Sequence, residues 1–137
     1  MDLSLASVAG ILSRWLHVSA VVTLAGGVFY ACVLARAGRL PDGAGAGFRP
    51  GVWVLVAVLF VSGIYNLLTK DVFPEGYQIV FGVKFLLVLH VVAVTLVAAR
   101  RGVPAAKAAR LLSGASFSGL AILLLSAFLR HLSAGAR

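Results

Sequence analysis

Apolar residues in this chain fall into four long unbroken runs separated by short polar stretches. The runs cover residues 11–35, 51–69, 78–99 and 111–132. Each is close to the ~20 residues that cross a ~30 Å hydrocarbon core as a helix. A closed barrel is the other way to span a bilayer, but it needs strands of about ten residues alternating in polarity. These runs do not alternate, so the pattern predicts four transmembrane helices. The expected fold class is all-α, an integral membrane antiparallel four-helix bundle forming one domain over residues 1–137.

The polar stretches are short and distinct. Residues 37–50 are rich in Gly and Ala, with Arg36, Arg39 and Arg49 around them. Residues 69–77 hold Lys70, Asp71, Pro74 and Glu75, and residues 100–110 hold Arg100, Arg101, Lys107 and Arg110. Connections this short make successive helices antiparallel. Lys and Arg concentrate in the first and third loops, which the positive-inside rule puts in the cytoplasm. Both termini are then expected on the periplasmic side of a bacterial inner membrane, with Arg130 and Arg137 as a weak counter-signal.

Composition agrees with the pattern. Hydrophobic residues are 61% of the 137 and charged residues 12%, against about 25% charged in ordinary soluble domains. A chain this small cannot hide that much apolar surface from water by folding alone. The net charge of +8, from twelve Lys and Arg against four Asp and Glu, reads as topology and headgroup contact. Aromatic platforms interleaved with basic residues are missing, which argues against nucleic acid. The single cysteine, Cys32, cannot form an intrachain disulfide and reads as a small apolar filler. The first run is too long for the apolar part of a signal peptide, so it is expected to remain as the first span. Gly26 and Gly27 in that run, and Gly114, Ala115, Ser118 and Gly119 in the fourth, permit close helix packing, within the bundle or between copies.

Ionisable groups inside a membrane are costly and tend to be functional. The candidates are Arg14 and His17 in the first run, Lys84 and His90 in the third, and Arg130 and His131 at the end of the fourth. Asn66, near the end of the second, adds a polar group. With both termini outside, all but His90 fall in the outer half of the bundle, and His90 falls near mid-bilayer. His90 lies about 120° around its helix from Lys84, so the two need not face one cavity. No Asp or Glu lies within any run; Asp2, Asp71 and Glu75 are expected outside and Asp42 in the cytoplasm. Arg14 and Lys84 thus lack an acidic partner at their own depth. An unpaired buried cation must lose its proton or find an anion, and arginine does not lose its proton.

The expectation is an anionic ligand in the outer half or a water-filled vestibule. Haem propionates suit the cations while imidazole suits the iron; a lipid headgroup or quinone-type head is the other candidate. The plainer reading is that Arg14, Arg130, His131 and Lys84 reach up to the headgroups along their own stems. Zinc would need three or four clustered ligands, and copper(I) favours Met and Cys, which are nearly absent. No paired carboxylates, Ser-His-Asp set or phosphate-binding loop is present.

Arg14-Trp15-Leu16-His17, with Gly26-Gly27-Val28-Phe29-Tyr30 downstream, resembles the first helix of CopD-type copper-resistance membrane domains and of the HemJ family, linked to protoporphyrinogen oxidation. Ser62-Gly63-Ile64-Tyr65 is similar to their Gly-containing second helix. The segment from Gly82-Val83-Lys84 to Leu89-His90 is similar to their Lys-containing third. The resemblance covers most of residues 11–100. By position it implies that His17 and Lys84 match the family's first-helix histidine and third-helix lysine, associated with haem binding and activity. The polar Asn-Glu-Pro type motif of HemJ has no counterpart in residues 111–132, and CopD proteins usually have more helices.

The expected function is therefore haem b binding in a CopD/HemJ-like, redox-active membrane protein, with a membrane oxidoreductase and an unidentified electron partner as the enzymatic form of that expectation. His17 would be one axial ligand and His90 the second, with Arg14 and Lys84 on the propionates and Asn66 beside them. His131 is a further metal-ligating candidate. The alternatives are a copper-transport or copper-resistance protein and a non-catalytic partner subunit.

Overall fold

The computed structural model describes residues 4–41, 44–70, 73–100 and 102–135. Asp2, Asp42, Asp71, Arg101 and Arg137 lie outside the described residues. Four α-helices account for nearly all the rest: α1 Leu5–Arg36, α2 Ala44–Leu68, α3 Tyr77–Ala98 and α4 Ala105–Gly135. All four are long and apolar enough to cross a membrane.

Helix boundaries are set by local chemistry beyond the apolar runs. α1 begins six residues before the expected position. Ser4 caps it, its side chain accepting from the Ser7 N–H at 3.2 Å, which satisfies one of the free donors of the first turn. α1 ends in a Schellman motif. The Gly38 N–H bonds to the Ala35 carbonyl and the Arg39 N–H to the Leu34 carbonyl, with Gly38 at φ 65. That left-handed backbone favours glycine. α2 takes up residues 44–50, expected as linker, and carries Pro50 inside it. α4 starts directly after Pro104, whose carbonyl accepts from the Ala108 N–H at 2.9 Å.

The core is a stripe of small and branched side chains. On α1 it runs Ala20, Leu24, Val28, Cys32, Ala35, close to one residue per turn along a single face. Ala115 of α4 is the most buried of the core residues at 1% exposure, so α4 approaches its neighbours closely. α1 packs against both α2 and α4, and α4 packs against α3. α2 and α3 touch only slightly; there Phe60 meets Phe85 edge-on, with centroids 6.0 Å apart. Large apolar side chains cover the outside, Ile79, Val61 and Leu124 among them. A soluble protein rarely exposes such a surface; lipid suits it.

Hydrogen bonds fix which helix ends meet. At one end Lys70, just after α2, donates to Ser133 Oγ of α4 at 2.6 Å. At the other end Arg36, closing α1, donates to Ser113 Oγ near the start of α4 from Nε and Nη2, at 3.2 and 3.0 Å.

Candidate functional site

The site is built where the first half of α1 crosses the last half of α2. On α1, Ser13, Arg14 and His17 lie within about one turn of one another; on α2, Ser62 and Asn66 stand one turn apart. His17 Nδ1 lies 2.9 Å from Ser62 Oγ, and Ser13 Oγ donates to the Ser62 carbonyl at 3.4 Å. Ser62 is buried, at 5% exposure.

The Ser62 hydroxyl donates to the Val58 carbonyl at 2.5 Å, one turn back on its own helix. A hydroxyl has one hydrogen to give. With that hydrogen on Val58, Ser62 accepts from His17 Nδ1–H, and in the neutral ring of that tautomer Nε2 carries the lone pair. The Leu59 carbonyl, 3.4 Å from the same hydroxyl, is a further acceptor beside the ring. Histidines that bind metal through one nitrogen are held in this way through the other. Gly63 lies against the ring: a Cβ there would meet His17 Cε1 at 3.4 Å, an ordinary contact.

His17 lines a half-open cavity of about 430 Å³ together with Arg14 and Val18 of α1, Asn66 of α2 and Arg130 of α4. Two guanidinium groups, an amide and an imidazole thus converge on one space. Lys84 of α3 is half-buried and does not line this cavity. Among the described residues Arg14, Arg130 and Lys84 form no ion pair, and Glu75 is the only carboxylate side chain. Both arginines are exposed at the open side of the cavity.

The structure brings together Arg14, His17 and Asn66 as expected, while Lys84 does not line their cavity. Arg130 joins Arg14 at the cavity, a placement that sequence depth alone did not reveal. His90 is not part of this group. Its side chain is exposed on the outward face of α3 and does not line the cavity, as the 120° offset from Lys84 allowed. The structure thus does not bring His17 and His90 to one cavity within the chain. His131 is likewise exposed, and its neighbour Arg130 takes the cavity position. Ser62 was legible only as part of a glycine-containing segment; a serine spaced to meet an interior histidine was the available signal.

Among the described residues no three His, Cys, Asp or Glu side chains group to hold a metal ion. No family model, curated protein or solved structure matches the chain.

Proposed function

We propose that this is a haem-b-binding integral membrane protein of the CopD/HemJ-like class. Its four helices run antiparallel across a bacterial inner membrane, with both termini and the His17 cavity on the periplasmic side. One observation carries the reading: an imidazole bonded through Nδ1 to Ser62 lines a cavity rimmed by guanidinium groups that pair with no carboxylate among the described residues. His17 would hold the iron through Nε2, and Arg14 and Arg130 would balance the propionates.

The residues suit this group better than a bare metal ion. Porphyrin brings four nitrogens of its own, so a single protein imidazole suffices, as in proteins with only a proximal histidine. A copper ion held by protein alone would need further ligands beside His17, and the described residues supply no such group. The cavity volume of about 430 Å³ lies in the range of small-molecule sites, roughly 300–1,000 Å³. Its open side leaves an apolar ring edge free to lie against lipid. Bound there, haem would supply one-electron chemistry. The chain's own part is to orient one imidazole through Ser62 and to neutralise acidic groups through Arg14 and Arg130.

Haem and its dimethyl ester separate this reading from generic uptake of a greasy ring. Both are titrated into detergent-solubilised protein and followed by absorbance. Haem should bind at least about tenfold more tightly than the ester, since charge-assisted hydrogen bonds contribute about 1.5–3 kcal/mol each. The preference should shrink in Arg14→Gln and Arg130→Gln. Equal affinity for haem and ester in the unsubstituted protein would refute the assigned site.

A further inference from the structure

His90 poses a separate physical problem. It lies thirteen residues after the start of α3 and eight before its end, about 19 Å and about 12 Å along the axis. Its side chain is exposed. Among the described residues its ring has no hydrogen-bond partner. Lys and Arg escape such positions by snorkelling along flexible stems, but imidazole has no stem to do so. Ser and Thr on a helix surface bond their own i−4 carbonyl, as Ser116 and Ser126 do here; no such bond is made by His90. A polar ring facing hydrocarbon without a partner is costly.

We infer that the outward face of α3 around His90 is the interface between two copies of this chain. The inference rests on membrane insertion and not on the cofactor. Two identically inserted chains are related by a two-fold axis along the bilayer normal, so every residue meets its counterpart at equal depth. Neutral imidazole carries one donor and one acceptor. One copy's ring donates to the ring of the other, and each gains the partner that its own chain lacks. A different membrane protein would have to supply a polar group at that depth by coincidence; a second copy supplies it by symmetry. The flanking residues permit the approach. Gly82, Leu86, His90 and Ala93 project within about 80° of one another at 100° per residue. All four are exposed, and nothing in the chain stands within 4 Å of where a Gly82 Cβ would be.

Oxidative cross-linking in isolated membranes tests this, in a Cys32→Ser background that removes the only native thiol. Single cysteines are placed at Leu86 and Ala93 on the α3 face. A control is placed at Leu124 on α4, which is 71% exposed. Leu86→Cys and Ala93→Cys should give a band at twice the chain mass, and Leu124→Cys should not. Adding His90→Leu to Ala93→Cys should weaken dimerisation about tenfold, and His90→Gln should retain it. His17→Ala should leave the cross-link intact, which separates this inference from the haem reading. Cross-linking at the α3 face no stronger than at Leu124, adducts only to another protein, or indifference to His90→Leu would each overturn the proposal.

Discussion

His17 Nδ1 stands 2.9 Å from Ser62 Oγ, a bond that ties α1 to α2. With the hydroxyl's hydrogen on Val58, the bond favours the tautomer in which Nδ1–H donates. Metal affinity at such sites depends on the partner behind the ligand nearly as much as on the ligand.

Ser62→Ala removes the acceptor and keeps the helix. The ring then loses both its favoured tautomer and its orientation. Haem affinity should fall about 10–100-fold while the absorption spectrum stays that of a histidine-ligated haem. Ser62→Thr keeps a hydroxyl and should recover most of the loss. Unchanged affinity in Ser62→Ala would show that the bond does not position the ring.

Gly63 offers a graded test of ring position. A Cβ at 3.4 Å from His17 Cε1 is ordinary contact, so Gly63→Ala should bind haem within about threefold of the unsubstituted protein. Gly63→Leu pushes branched carbons into the ring and should abolish ligation while the protein still purifies as a helical, folded species by circular dichroism. Normal ligation in Gly63→Leu would mean that His17 does not lie against α2.

Much of this architecture was legible because apolar run length answers directly to bilayer thickness. All four runs became helices, and Arg14, His17 and Asn66 converged because residues one turn apart share a face. The helix starts were not legible from hydropathy. Ser4 capping, and the inclusion of 44–50 despite Pro50, depend on backbone hydrogen bonds that polar and glycine-rich segments can also make. The direction of His90 was not legible beyond its offset of about 120° from Lys84. Depth can be counted along a run, but the side of the helix that meets lipid depends on which neighbours pack where. Here α3 leans on α4 and barely meets α2. Arg130 was undervalued for the same reason: a residue near a helix end reads as anchoring until a second helix brings another cation beside it.

Lys70 should matter for stability more than a loop lysine normally does. It donates to Ser133 at 2.6 Å and lies 4.0 Å above the Tyr77 ring, linking the ends of α2, α3 and α4. Lys70→Ala should lower stability by about 2–4 kcal/mol, the sum of one charge-assisted hydrogen bond and a cation–π contact. Thermal unfolding in detergent measures it. An unchanged midpoint would mean that these contacts are balanced by solvation.

Thr95 carries the opposite expectation. It is buried at 7% exposure, and its hydroxyl oxygen has no hydrogen-bond partner among the described residues. Thr95→Val keeps the shape and removes the orphan group, so it should leave stability unchanged or raise it by about 1 kcal/mol. A loss of more than about 1 kcal/mol would reveal a partner for the hydroxyl.

The most direct test is the absorption spectrum of protein purified from membranes and supplemented with haem, oxidised and reduced, beside His17→Ala prepared identically. The account predicts a sharp Soret band in the unsubstituted protein that shifts on reduction, and only the broad absorbance of free haem in the variant. Matching spectra from two equally folded samples would contradict it.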